Sequence, residues 1–323
     1  MMARPDENSR AQVLALCGGI GGAKLALGLY RTLAPGHLTV AVNTGDDFTH
    51  LGLHVSPDID TVAYTLAGLN DTERGWGLAG ESWHFMEALG RLGGETWFQL
   101  GDHDLATHVL RTQRLAAGET LSQVTAALAA RLGLHGRLLP MSDDPVRTLV
   151  DTDEGRLAFQ NYFVAQRCRP RVTAISFAGA KEAKVQEDVL ALLADGTLAA
   201  IVICPSNPYL SVDPMLAIPG LRAALKASPA PVIAVSPIVA GKAVKGPTAK
   251  IMEELGLPVS SRAVAEHYGD LLDGFILDDS DAVETARLGV PTVATRTLME
   301  TLEDRERLAR SVLNFASGLR RHG

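Results

Sequence analysis

An α/β fold built on a mostly parallel, Rossmann-like sheet is what this sequence predicts, and three observations predict it. A short apolar run at residues 12–16 ends in the glycine cluster Gly18-Gly19-Ile20-Gly21-Gly22. Helical spacing follows, with Leu25, Leu29 and Leu33 on one face, and leads past Pro35-Gly36 into a second apolar run at residues 38–42. After the middle of the chain the same rhythm returns, with apolar runs at 172–177, 199–204, 232–235 and 274–277 separated by helical spacing. A strand, a Gly-rich turn, a helix and another strand form a βαβ unit, and chirality makes it right-handed and parallel. The turns after successive strands therefore gather at the carboxyl edge of the sheet, where open α/β sheets bind ligands.

The elements follow in order. The polar turn Asn43-Thr44-Gly45-Asp46-Asp47 closes the second strand, and residues 58–134 are mostly helical in pattern. Asp102 is placed to cap a helix running to Ala116, and residues 122–132 carry another amphipathic spacing. Residues 138–163 are mixed: a strand-like run, the acidic turn Ser142-Asp143-Asp144-Pro145, then hairpin strands at 148–150 and 156–163. Helices are expected over 184–193 and 214–225, and an Arg-rich amphipathic helix over 298–319. The reading is one Rossmann-like α/β domain over residues 11–323, in which residues ~70–165 form an inserted, mainly helical cap and residues 1–10 a flexible N-terminus.

Composition narrows the function classes. The chain has 323 residues, 46% of them apolar and 21% charged, which excludes disorder over most of its length. Its net charge of −7 argues against a broad nucleic-acid footprint, which needs a basic face. Cys17, Cys168 and Cys204 are far apart with no CxxC spacing, so neither a disulfide framework nor a zinc ribbon is expected, and a cytoplasmic setting is. The first ten residues lack a secretory h-region, and no apolar run reaches the roughly 18 residues of a membrane span.

Several turns carry candidate chemistry. Glycines after a strand let backbone N–H groups approach phosphate oxygens, with the helix dipole assisting. The cluster here is neither a Walker A loop nor a strict GxGxxG, since Lys24 stands where the third glycine belongs; it is a phosphate loop of another kind or a tight packing turn. Asp46, Asp47, Asp58 and Asp60 lie in the next two polar turns, and carboxylates beside phosphate suit Mg²⁺. Asp58 and Asp60 are also placed to be helix caps. In Leu100-Gly-Asp-His-Asp-Leu-Ala-Thr-His108, Asp104 and His108 share a helix face, and capping acids with a ligand-facing His103 explain the block better than zinc. Pro205-Ser206-Asn207-Pro208 offers hydrogen bonds to a base, ribose or phosphate, or is a rigid turn. Ser236-Pro-Ile with Lys242 and Lys245 is a phosphate clamp or a pair of solvated lysines.

Taken together these blocks resemble one family. Cys17-Gly-Gly-Ile-Gly-Gly-Ala-Lys24, Val42-Asn-Thr-Gly-Asp-Asp47, Ser56-Pro-Asp-Ile-Asp-Thr61, Arg74-Gly-Trp-Gly77, the 100–108 block, Met141-Ser-Asp-Asp-Pro145, Pro205-Ser-Asn-Pro208 and Ser236-Pro-Ile238 occur in the order seen in 2-phospho-L-lactate transferases (CofD type) of coenzyme F-420 biosynthesis. The resemblance implies an Mg²⁺-dependent transfer of a phospho-acid moiety, of lactate, enolpyruvate or glycerate type, from a guanylylated diphosphate to the ribityl hydroxyl of the deazaflavin Fo, releasing GMP. It also implies residue roles. Gly18, Gly19, Gly21, Gly22, Lys24, Asn43 and Thr44 would hold the diphosphate, with Ser206 and Asn207 on the nucleotide. Asp46 and Asp60 would be catalytic and hold Mg²⁺, while Asp60, His103, Asp143 and Asp144 would face Fo. Many members carry Arg where this chain has His103, and an imidazole is not equivalent to a guanidinium. A homodimer is expected from the apolar terminal helix. The alternatives are a non-catalytic nucleotide-sugar-binding protein on the same core and, more remotely, an NAD(P)-dependent oxidoreductase.

Overall fold

Seven parallel strands form the core of the structure, a computed structural model that describes residues 12–244 and 246–319. The expected flexible N-terminus (residues 1–10) and Lys245 lie outside the described residues. The first strands are β1 (Gln12–Cys17) and β2 (Leu38–Val42), joined by helix α1 (Gly19–Thr32); a small hairpin, β3 (Phe48–His50) and β4 (Leu53–Val55), follows. Next come α2 (Pro57–Ala67), α3 (His84–Arg91), α4 (Asp102–Ala116) and α5 (Leu121–Arg131), leading to β5 (Arg137–Pro140). A three-stranded antiparallel sheet then forms from β6 (Arg147–Thr152), β7 (Gly155–Ala158) and β8 (Val172–Ala178). The chain continues through α6 (Glu187–Ala194), β9 (Leu198–Ile203), α7 (Asp213–Leu216), α8 (Leu221–Ala227) and β10 (Val232–Val235). The remainder is a two-residue-per-strand hairpin, β11 (Ile238–Val239) and β12 (Lys242–Ala243), then α9 (Thr248–Glu254), α10 (Ser261–Tyr268), β13 (Gly274–Leu277), β14 (Thr292–Ala294) and α11 (Leu302–Gly318).

The order across the main sheet is β14-β13-β10-β9-β1-β2-β5. From β1 the chain winds outward through β2 and β5, then returns to β9 and winds the other way, so the topological switch point lies between β1 and β9, where doubly wound sheets bind ligands. The glycine cluster leaves β1 and the Pro205–Pro208 turn leaves β9 at this crevice. Every residue of β1 from Val13 to Cys17 is fully buried, because helices and the second sheet cover both faces. Leu14 and Leu16 point into one apolar core, whereas Val13, Ala15 and Cys17 point into the other, the period-2 alternation of a strand.

Two segments differ from the sequence expectation. Residues 137–140 fall inside the expected cap, yet β5 is a core strand paired parallel with β2, Thr39 to Arg137 through Val42 to Pro140. Helix α5 is therefore its crossover. Conversely, β8 was expected in the parallel core and instead pairs antiparallel with β6. Short apolar runs carry no information about which sheet they join; that depends on which edge is free when they arrive. The helical part of the cap is α3 and α4, α2 instead packing in the core with α1, and the antiparallel sheet forms a second wall.

The terminal helix packs on α1. Its Leu308, Ala309, Val312, Leu313 and Ala316 enter the core shared with α1, and a Cβ on Gly28 would stand 2.1 Å from the Arg305 carbonyl oxygen. The apolar face that suggested a dimer is thus covered within the chain. No helix among the described residues is long and apolar enough to cross a membrane.

Candidate active site

The switch-point crevice opens into a cavity of about 530 Å³. Its floor is Gly18, Gly19, Ile20 and Gly21 with Asp46 and Asp58; further lining comes from α2 and α4, from residues 159–164, and from residues 236–244 and 246–248. Ser206, Asn207 and Thr297 to Met299 close the side nearest β9 and β14. Two single π-helical turns, Asn161–Ala165 and Pro208–Val212, border this cavity, and such turns concentrate at functional sites.

The glycine loop is fixed by close approach. Gly19 adopts φ 62°, and a Cβ on Gly21 would lie 2.5 Å from the Pro205 carbonyl oxygen, so β9's exit turn and the loop pack backbone to backbone. Ser206 Oγ accepts from Gly18 N (3.1 Å) and donates to Gly18 O (2.8 Å), pinning the two turns together across the switch point. Ser206 thus acts on the loop itself. Asn207 Oδ1 accepts from Tyr209 N (3.0 Å) and Leu210 N (3.2 Å), while its buried Nδ2 has no partner. Lys24 lines the cavity and its Nζ donates to Met299 O at 2.7 Å.

Neither Asp58 nor Asp60 caps α2. Asp58 Oδ1 accepts from Gly19 N (2.8 Å) and Oδ2 from Asn43 Nδ2 (2.9 Å), so it joins the first two polar turns. Beneath it Asp47 Oδ2 accepts from Ser56 Oγ (2.9 Å) and contacts His54 Nε2 (3.1 Å). Asp46 Oδ1, Asp47 Oδ1 and Thr44 Oγ1 are buried without a hydrogen-bond partner, although buried polar atoms are nearly always paired. Burial, reinforced by the charge of Asp58, pushes the Asp46 carboxyl well up, and burial pushes Asp58 up to about 6. Of these carboxylates Asp46 lines the cavity with one buried oxygen unpaired, a hard donor of the kind a divalent cation takes.

Asp60 lines the same cavity, held by an ion pair. Both its oxygens are taken by Arg111: Nη1 donates at 3.0 Å, and Nη2 donates to the second oxygen. The carboxylate that shares a patch with Asp46 is Asp58 instead. Arg111 is completely buried, and its neighbours on α4 extend the network: His108 Nδ1 lies 3.3 Å from Arg111 Nη1, and His108 Nε2 lies 3.5 Å from Asp104 Oδ2. Tyr64 donates to Asp104 Oδ1 at 2.6 Å. Burial raises Asp60, with Arg111 opposing; it would raise Asp104 too, but the bonds from His108 and Tyr64 hold that group below its ordinary value. Asp60, Asp104 and His108 also offer converging ligand atoms, but with the guanidinium already on Asp60 the cluster is neutralised from within.

Three expected Fo contacts lie outside the cavity lining. His103 is exposed on the outer face of α4, its Nδ1 3.6 Å from Glu81 Oε2. Asp143 accepts from Ser122 N (2.6 Å) and Ser122 Oγ (2.9 Å) at the start of α5, and Asp144 accepts from Lys184 N at 2.8 Å. Asp143 thus caps α5 from the turn after β5, and Asp144 ties that turn to the segment ahead of α6. Asp102 caps α3, accepting from His84 N and Phe85 N at 3.1 Å each, while Glu81 caps α4 through His103 N and Asp104 N at 2.7 Å each. The two helices exchange caps. Arg111 was missed by the sequence reading, yet Asp104, His108 and Arg111 at i, i+4 and i+7 form a polar stripe on one face that would have flagged it.

The fold and site together define a doubly wound α/β protein with a glycine-floored, carboxylate-bearing cavity at its switch point. Residues 13–315 match the family described as 2-phospho-L-lactate transferase CofD, and the chain belongs to that family. It is 44% identical to a protein of Kitasatospora aureofaciens named phosphoenolpyruvate transferase, over 97% of this chain and 99% of that one. It is 42% identical to a protein of the same name from Streptomyces coelicolor, over 96% and 99%. Among solved structures, a UPF0052-family protein of Bacillus halodurans superposes with a TM-score of 0.61 at 16% identity, covering 94% of this chain and 99% of that one, which shows the shared fold.

Proposed function

We propose that this protein transfers a phospho-acid moiety from its guanylylated diphosphate donor to the terminal ribityl hydroxyl of the deazaflavin Fo, releasing GMP, in coenzyme F-420 biosynthesis. Of the three candidate acids, enolpyruvate is favoured by the names of the relatives. The observation that carries the reading is the unpaired buried oxygen of Asp46, beside Asp58 and the glycine loop in the switch-point cavity.

The attacking hydroxyl forms the new P–O bond, the bond to the GMP oxygen breaks, and catalysis is chiefly positioning and charge neutralisation. Asp46 and Asp58 would hold Mg²⁺, which when bound neutralises diphosphate charge. With the Gly18 and Gly19 amides held by Ser206 and Asp58, the next amides of the loop, those of Ile20 and Gly21 at the start of α1, receive the diphosphate, and Ser206 keeps the loop seated against β9. Asn207 Nδ2, a buried donor without a protein partner, serves the donor nucleotide. Asp60 is held by Arg111 and orients the acceptor side of the cavity rather than the metal. The test is incubation of the purified protein with Fo, Mg²⁺ and each guanylylated acid in turn. A Fo–acid phosphodiester identified by mass, formed with stoichiometric GMP, is expected; no product from any of the three acids refutes the reading.

A further inference from the structure

The Arg74-Gly-Trp-Gly77 block plays no part in the scheme above, yet it is among the most heavily braced segments of the cavity wall. Asp71 N donates to Gly77 O at 3.0 Å and Ala79 N to Leu69 O at 2.8 Å, which folds residues 69–79 into a tight hairpin. At its tip Gly75 and Gly77 take φ 85° and 71°, conformations that favour glycine. Asp71 holds Arg74 through Nη2 (2.9 Å) and also accepts from its backbone N (2.8 Å). The Arg74 guanidinium in turn lies 5.1 Å from the centre of the Trp76 ring and 4.7 Å from that of Trp83, with the two indoles edge to face at 6.1 Å. For all this bracing, Trp76 remains 39% exposed, and it lines the cavity.

A large ring fixed by a cation on one face and left open to a cavity is pre-organised for a planar partner, because little side-chain freedom remains to be lost on binding. Both substrates of the proposed reaction bear planar heteroaromatic rings, and the geometry of phosphoryl transfer separates them. Attacking and leaving oxygens lie roughly in line, so donor nucleotide and acceptor approach the phosphorus from opposite sides. Ser206 and Asn207 set the nucleotide on the β9 side, whereas Trp76 belongs with Tyr64 and His108 to the α2–α4 side. We propose that Trp76 is a stacking platform for the deazaflavin ring of the acceptor, held in place by Arg74. This inference rests on the transferase reading.

Equilibrium binding of Fo and, separately, of GDP to the wild type, Trp76→Phe and Trp76→Ala tests it, with thermal melting to verify folding. Loss of one aromatic stack raises Kd roughly 5- to 150-fold. The expected result is a rise of that size for Fo with Trp76→Ala, a smaller one with Trp76→Phe, and an unchanged Kd for GDP; in turnover the KM for Fo rises while kcat is largely kept. Wild-type affinity for Fo in a folded Trp76→Ala overturns the proposal while leaving the transferase reading intact. A loss confined to GDP overturns it by assigning the ring to the donor base. Failure of the wild type itself to bind Fo overturns the acceptor reading, and this proposal with it.

Discussion

Replacing Arg111 by Met isolates the buried ion pair that organises the α2–α4 side of the cavity. The Arg111 side chain is 0% exposed and that of Asp60 8%, so solvent screening, which limits exposed pairs to about 0–1 kcal/mol, does not apply. Arg111→Met leaves Asp60 buried with only His108 Nδ1, 3.7 Å away, as a possible cation, and leaves Asp104 in the same network. Breaking a buried pair from one side costs about 3–5 kcal/mol, because a desolvated charge loses its counter-ion. Removing both charges is far cheaper, so Asp60→Asn/Arg111→Met recovers most of that loss, to within about 1–2 kcal/mol of the wild type. Urea unfolding of the wild type, both single variants and the double variant measures the full cycle. An Arg111→Met curve superimposed on the wild type, or a double variant no more stable than Arg111→Met alone, refutes the claim that these charges depend on each other.

Three further outcomes are expected. Asp46→Asn removes a buried carboxylate that faces Asp58, so the metal-free protein melts at the wild-type temperature or above it, while the Mg²⁺-induced rise in melting temperature and the transfer activity are both lost; retained turnover counts against a role for Asp46. Asp58 sits at about 6 in the folded protein against an ordinary 3.8, which favours its protonated form by about 3 kcal/mol; that stabilisation is complete below about pH 3.8 and is lost as pH rises through about 6. Denaturation between pH 4 and 7 without metal should therefore show the wild type losing about 2 kcal/mol more than Asp58→Asn, and parallel profiles contradict it. Gly21→Ala drives a Cβ against the Pro205 carbonyl, 2.5 Å away, and overpacking of this kind costs about 1–3 kcal/mol; calorimetry should show the loss together with weakened GDP binding, and unchanged GDP affinity removes the loop from the phosphate site.

Much of the fold was legible along the chain. The runs at 38–42, 232–235 and 274–277 became β2, β10 and β13 with unchanged limits, because continuous burial leaves an unbroken apolar signature bounded by turns. The strand β14 (Thr292–Ala294) was not foreseen: three half-buried residues at the sheet edge leave almost no pattern. Within the site, the glycine cluster, Asp46, Asn43 and the Ser206-Asn207 turn were visible because turns that follow buried strands must gather at one edge. His103, Asp143 and Asp144 looked equally eligible. Their side chains take up capping or surface positions, and a capping acid has the same local sequence as a ligand-binding one.

The sequence by itself determined the βαβ rhythm, the loop that leaves β1 and the residue types available at each turn, since these follow from periodicities of two and 3.6 and from the conformations glycine permits. Only the tertiary structure decided that β5 joins the core sheet while β8 leaves it, that Asp58 rather than Asp60 shares a patch with Asp46, and that Arg111 occupies both oxygens of Asp60. The physical reason is range. Local pattern fixes which way a side chain points from its own element, but the partner of a buried charge is whatever the packing of distant segments brings within hydrogen-bond reach, and Asp60 and Arg111 are 51 residues apart.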